Sequence, residues 1–285
     1  MKRFSLALYL GKIIVTTLAL LVIMILVYPI AYVIIASLLR GQVIPSSVSD
    51  IERYGLSLEH YTRALSDPDF ISATLTSILV ALLNIVLSVL VIVPAAYAFS
   101  RFEFRGKNIV LVIYLILSQI GGGFGVAAVI AIFIFLLRLN SLGIPVIGNP
   151  LVLPFIYTSS AVPFQTWLIK SYFDNLPRSL DEAAFIDGAS WRSIVFRVIF
   201  PASRGVAYIV AIFAFMGAWG EFLLASFIRV NTLAAYVYQT AVGQTIYWSD
   251  FAARTILFAL PIITLYAVSQ RYIGEALRFG GGKIA

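Results

Sequence analysis

The residues best placed to do chemistry lie between Leu176 and Pro201, and that chemistry is recognition. Ser179 and Glu182 have the spacing of a capping box, in which each side chain satisfies an orphan amide of a helix's first turn. Asp181 and Glu182 also suit the positive end of the helix dipole. Gly188 supplies a stop where a left-handed backbone costs least. From Ser190 a second segment carries Trp191, Ile194, Val195 and Val198 on one side, and Pro201 ends it. The pattern predicts a short helix, a glycine break and an amphipathic helix. Ala183 and Ala184 are small, so the first helix can seat closely in a groove on another protein. An interfacial helix resting on lipid fits the same residues.

The usual catalytic sets are missing. The chain has no cysteine, which removes thiol nucleophiles, disulfides and cysteine metal sites. His60 is the one histidine and falls in a polar loop, so histidine metal chemistry lacks a second ligand. There is no Gly-x-x-x-x-Gly-Lys-Ser/Thr run to cradle ATP phosphates. The expectation is a non-catalytic chain that binds no metal or cofactor of its own.

The elements that must position the Leu176–Pro201 stretch are set by composition. Of 285 residues, 61% are hydrophobic and 12% are charged, about half the charged share of a soluble domain. Several uncharged runs exceed the roughly 18 to 20 residues that cross a bilayer as a helix. Six membrane helices are expected, at 13–39, 71–100, 108–137, 151–172, 205–228 and 251–273, with the polar loop 174–204 between the fourth and fifth. The first is too long for a signal peptide. A turn cluster of Gly143, Pro145, Gly148 and Pro150 precedes the fourth. The whole chain reads as a single all-α membrane domain.

Charge orients it. The N-terminus, the segment Arg101–Lys107, the loop Lys170–Arg204 and the tail from Arg271 hold 14 of the 20 basic residues. The other loops hold six, diluted by Asp50, Glu52, Glu59, Asp67, Asp69 and Asp250. The positive-inside rule then places both termini and the Lys170–Arg204 loop in the cytoplasm of a multi-pass plasma-membrane protein. The same rule accounts for the net charge of +7 without nucleic acid as a partner.

Glu182-Ala183-Ala184, followed by Asp187-Gly188-Ala189 and Pro201, resembles the EAA loop of ABC importer permeases. The glycine spacing is kept, Val198 stands at the usual isoleucine and Phe200 at the usual leucine. Leu142-Gly143, Asn149, Trp167 and Lys170-Ser171-Tyr172-Phe173 follow in the order expected of carbohydrate importers. Ala96-Tyr97-Ala98-Phe99-Ser100-Arg101 with Gly106-Lys107 fits the same family, and the C-terminal third, with Trp248–Ala253 and Leu260-Pro261-Ile262, resembles the maltose/trehalose type of second permease subunit (the MalG type).

The resemblance implies a type I ABC importer permease fold and a di- or oligosaccharide substrate, with trehalose, maltose, maltodextrins and other oligosaccharides all open and another small solute as the alternative. It implies that Glu182, Ala183, Ala184, Asp187, Gly188, Ala189 and Pro201 belong to a coupling helix docked on an ATPase subunit. It also implies a heterodimer with a second permease subunit, two ATPase subunits that hold the ATP and Mg, and an extracytoplasmic sugar-binding protein, all within membrane lipid. An ion-coupled secondary transporter fits less well, because such proteins place ionisable residues near the midplane and this chain places almost none there.

Three residues within the apolar runs are candidates for the sugar path. Glu221 lies about 25 Å along a helix from Arg204 at 1.5 Å per residue. It either faces that path or pairs with Arg254. Gln119, beside Gly121-Gly122-Gly123, marks either a helix break lining a cavity or close helix packing. Trp219 either stacks on a sugar ring or packs against its neighbours.

Overall fold

Long uncharged runs with almost no internal breakers become long helices, because only a helix satisfies its own backbone in lipid. The computed structural model describes residues 2–47, 49–119, 125–243 and 246–280, with the side chains of 2–8, 10, 119, 204 and 271–280 left aside. In chain order the helices are α1 (Lys2–Leu38), α2 (Ser49–Tyr54), α3 (Glu59–Leu65), α4 (Pro68–Arg101), α5 (Lys107–Gln119), α6 (Val126–Ser141), α7 (Val152–Asp174) and α8 (Ser179–Ile186). After them come α9 (Trp191–Ser193), a π-helical stretch (Ile194–Ile199), α10 (Phe200–Ala202), α11 (Arg204–Trp219), α12 (Leu223–Phe227), α13 (Leu233–Val242) and α14 (Trp248–Gly280). No strand occurs among the described residues, and an antiparallel bridge joins Leu39 to Leu56. The all-α expectation is met.

Among the described residues three helices are long and apolar enough to cross a membrane: Gly11–Leu38, Pro68–Arg101 and Trp248–Gln270. Each carries one proline in its interior, at Pro29, Pro94 and Pro261. Membrane helices tolerate proline because neighbours re-satisfy the freed carbonyl. A fourth crossing is reached if Trp191–Ala202 and Gly205–Trp219, bent by 91°, are counted as one.

Two expected helices are not continuous. The run 108–137 is divided between α5 and α6, and Gly121, Gly122 and Gly123 fall outside the described residues. Gly125, extended at φ −55° and ψ 149°, stands at the N-cap of α6. The run 205–228 breaks after Trp219, where Gly220 caps α11 and a second short helix, α12, begins.

The chain forms two compact units. One is built from Met1–Pro68 and Gln239–Ala259, the other from Asp69–Tyr238 and Leu260–Ala285. In the first, His60 is fully buried on α3: Nδ1 lies 2.6 Å from Asp250 Oδ1 and Nε2 lies 2.9 Å from the Leu39 carbonyl oxygen. Arg63 donates to both Asp250 oxygens at 2.9 and 2.8 Å, and Arg254 pairs with Asp67 at 3.1 Å. His60 is therefore a structural tie inside a folded segment, where a polar loop was expected. In the second unit, Ile92, Val93, Ala96, Ile169, Phe173 and Ile194 pack in a core that also includes Ala184 of α8. A buried polar knot ties three of its helices. Asn84 of α4 donates to the Ala214 carbonyl of α11 at 2.7 Å and accepts from Thr158 of α7 at 2.9 Å.

Candidate functional site: the α8 loop and its anchors

The loop between α7 and α11 is built around α8. A turn leads into it, the Pro177 carbonyl accepting from Leu180 N at 3.3 Å. This start places Ser179 inside the helix, with Arg178 at the N-cap and no side-chain cap bond. The Ser179–Glu182 capping box is therefore not formed.

The end of α8 is a complete Schellman motif. Gly188 N donates to Phe185 O and Ala189 N to Ala184 O, both at 3.0 Å, and Gly188 has φ of +76°. Glycine is needed here because an L side chain in this region costs roughly 1 to 2 kcal/mol. Ser190 caps the next segment, accepting from Ser193 N at 3.4 Å.

The second segment widens into a π-helix, and Pro201 supplies the cause. A proline ring offers no N–H to the carbonyl four residues back and clashes with it. Here that carbonyl belongs to Arg197, inside the π-helical stretch. With five-residue bonding, Ile194 shares its buried face with Ile199, while Val198 is half-buried. The expected Ile194–Val198 pairing assumed four-residue bonding. The chain breaks at Ser203, two residues beyond Pro201, and Pro201 itself is exposed.

The two faces of α8 differ. Ala184 is buried and Asp181 points inward, whereas Glu182, Ala183, Asp187 and Gly188 are exposed. Phe185 and Ile186 stand out at 55% and 86% exposure, and half-exposed Trp191 lies 5.0 Å from the Phe185 ring. Ala184 thus seats on this chain's own core, while Ala183 faces outward. Ala189 is half-buried. The exposed face thus carries two apolar side chains, Phe185 and Ile186, beside the carboxylates of Glu182 and Asp187.

The polar residues behind α8 come from α4 and α7. Tyr97 Oη donates to Asp181 Oδ1 at 2.6 Å, and Arg101 Nε lies 3.0 Å from Asp181 Oδ2. The N–H is too far off line for a hydrogen bond, so the second contact is ionic. Arg101 Nη2 donates to the Leu176 carbonyl at 3.2 Å, and Ser100 Oγ donates to Asp174 Oδ1 at 2.8 Å. Outside the membrane helices, Lys107 donates to Glu103 at 2.8 Å and holds that carboxyl below the ordinary range. None of these anchoring roles follows from hydropathy. The signal available was the i, i+3, i+4 spacing of Tyr97, Ser100 and Arg101 on one helix face.

The path candidates fall in different settings. Glu221 lies at the break before α12 and accepts from Tyr157 Oη at 2.6 Å, Leu224 N at 2.7 Å and Ala225 N at 3.3 Å. It is an interhelical tie and a helix cap, while Arg254 pairs with Asp67. Trp219 is 1% exposed and stacks on Phe215 at 5.1 Å. Gln119 ends α5, and its side chain lies outside the described residues. Among the described residues no three His, Asp or Glu side chains gather as a metal site.

Comparison with known proteins agrees with this arrangement. Residues 69–279 match the family model described as "Binding-protein-dependent transport system inner membrane component". The maltodextrin transport system permease protein MalD of Streptococcus pneumoniae is 30% identical over 91% of both chains. The galactooligosaccharides transport system permease protein GanQ of Bacillus subtilis is 30% identical, also over 91% of both. The trehalose/maltose transport system permease protein MalG of Thermococcus litoralis is 31% identical over 82% of this chain and 84% of its own. A crystal structure of a bacterial ABC transporter involved in alginate import superposes with a TM-score of 0.74 at 21% identity, covering 92% of this chain and 96% of that one. The fold is thus that of an ABC importer permease, and the chain belongs to the family of binding-protein-dependent transport system inner membrane components.

Proposed function

We propose that this chain is the non-catalytic permease subunit of an ATP-driven importer of di- or oligosaccharides. It lines half of the translocation path together with a second, different permease subunit. Two ATPase subunits carry ATP and Mg, and an extracytoplasmic binding protein delivers the sugar. Both termini and α8 face the cytoplasm. Closure of the ATPase pair draws the coupling helices together and opens the cavity outward, and hydrolysis restores the inward-facing state. Gln119 is kept as a path-lining position. For Trp219 and Glu221 the packing described above favours support of the path wall over contact with sugar.

The observation that carries the reading is the outward face of α8, where Glu182, Ala183, Phe185 and Ile186 are presented on a helix braced from behind. Exposed apolar side chains on a short, anchored helix gain stability when a partner covers them. The relatives' maltodextrin, galactooligosaccharide and trehalose/maltose substrates support the sugar class. The test is Gly188→Pro or Glu182→Lys in the assembled complex. Membrane insertion is expected to persist while the ATPase subunits are released or uncoupled. Unchanged sugar-stimulated ATP hydrolysis refutes the assignment.

A further inference from the structure

The Ala96–Arg101 motif at the end of α4 has no task in the function proposed above, yet its three polar side chains all reach the α7–α8 turn. Tyr97, Ser100 and Arg101 share one face of α4. Tyr97 and Arg101 close on Asp181, Arg101 also reaches the Leu176 carbonyl, and Ser100 holds Asp174. Lys170 grips the other oxygen of Asp174 at 2.5 Å. The two aspartates bracket the turn that launches α8, so α4 holds that turn at both ends.

Burial makes the Asp181 end of this clamp strong. The Arg101 side chain is 7% exposed and that of Asp181 is 15% exposed. Charges this sheltered depend on each other, because neither has water to fall back on. Along one flank, α4 and the second segment of the loop are separated by a groove of about 480 Å³, lined by Pro94, Tyr97, Phe102, Trp191, Val195 and Phe196. Apolar packing joins α4 to the loop, through Ile92, Val93 and Ala96 against Ala184, Ile194 and Val195 and through the Phe102–Trp191 ring contact at 4.9 Å, and the polar clamp adds the directional tie to the first turn of α8.

We infer that Asp181, gripped by Tyr97 and Arg101, is the positioning residue through which movement of α8 is delivered to α4. The inference rests on the reading that α8 is engaged by an ATPase subunit. Glu182 and Asp181 are adjacent in the chain and face different ways, about 100° apart around the helix: Glu182 is exposed toward the partner and Asp181 meets α4. Without Asp181, α8 keeps its Gly188 stop and its outward face, so it still docks. It then rocks against α4 instead of carrying it.

The chain has no native cysteine, which makes the test clean. Asp181→Asn, Tyr97→Phe and the double variant are assembled with the partner permease, the ATPase subunits and the binding protein. Asp181→Asn is expected to co-purify with a full complement of ATPase subunits and to keep basal hydrolysis. Its stimulation by sugar-loaded binding protein falls about tenfold, within the range of allosteric couplings. The double variant loses no more than Asp181→Asn alone, because both changes open the same link. A Tyr97→Cys/Asp181→Cys pair is uncoupled when reduced and regains stimulation when bridged by a short bis(methanethiosulfonate), each cysteine thiolate displacing methanesulfinate to form a disulfide with the linker, a rescue that a merely structural role does not provide. Wild-type stimulation in Asp181→Asn overturns the inference, as does loss of the ATPase subunits from that variant or failure of the bridge to restore coupling. If the wild-type complex itself shows no stimulation, the importer reading falls and this inference falls with it.

Discussion

Glu221 offers the sharpest energetic prediction, because its two oxygens accept three hydrogen bonds from two places. The Leu224 and Ala225 amides are the orphan donors of the α12 first turn, and Tyr157 Oη, on a side chain 4% exposed, reaches across from α7. Losing a side-chain cap costs about 1 kcal/mol. Losing a hydrogen bond to a charged group costs about 1.5 to 3 kcal/mol. Glu221→Ala is therefore expected to destabilise the membrane-embedded fold by about 3 kcal/mol. Glu221→Gln keeps an acceptor for the Leu224 amide, and its NH₂ can donate to the Tyr157 hydroxyl. It should cost about 1 kcal/mol. Tyr157→Phe removes the interhelical bond alone, and a double-mutant cycle between 157 and 221 should show coupling of about 1.5 kcal/mol. Steric-trap unfolding in bicelles reads all four proteins. The reasoning is refuted if Glu221→Gln is as stable as wild type while the sugar concentration for half-maximal transport rises severalfold, because the carboxylate would then serve the substrate and not the wall.

Three further outcomes follow from the same geometry. Asn84→Ala breaks the three-helix knot and should cost about 1 to 3 kcal/mol by the same unfolding assay, membrane interhelical bonds averaging about 0.6 kcal/mol with a cavity term added. An increase in stability contradicts the knot. His60→Phe fills the same space but leaves the Leu39 carbonyl without its side-chain donor, which should raise amide exchange in α3 by the equivalent of about 2 kcal/mol; unchanged exchange contradicts the tie. The Ser46 and Ser47 amides hold the exposed Asp50 carboxyl below its ordinary value of about 3.9. The turn it caps is intact above that value and loosens as pH falls through the lowered one. A titration of Asp50 followed by carbon NMR that gives an ordinary or raised value rules this out.

Much of this protein was legible in the residue order, and the reasons differ by residue. The long helices follow from apolar runs, because water-to-lipid transfer is set residue by residue. Gly188 follows from stereochemistry, since glycine alone enters its backbone region cheaply. What was hidden depends on partners. Hydropathy ran 205–228 as one helix because a sliding average does not register that Gly220 and Glu221 end one helix and cap another. Pro201 was expected to stop the second segment, whereas its ring widens the turn before it and the chain breaks at Ser203. Asp181 suits the dipole of its own helix by position, while its strongest contacts come from Tyr97 and Arg101, more than 70 residues earlier. His60 had no visible partner nearby because Asp250 lies 190 positions away.

In the proposed mechanism this membrane subunit works only when driven through α8 by an ATPase. Sugar uptake into proteoliposomes tests it most directly, with this chain reconstituted alone and then with its partner permease, ATPase subunits and binding protein. Uptake is expected only from the full assembly with ATP on the ATPase side, and none when any of the four is omitted or when Gly188→Pro replaces the native chain. Uptake by this chain alone, driven by an ion gradient and indifferent to ATP, contradicts it.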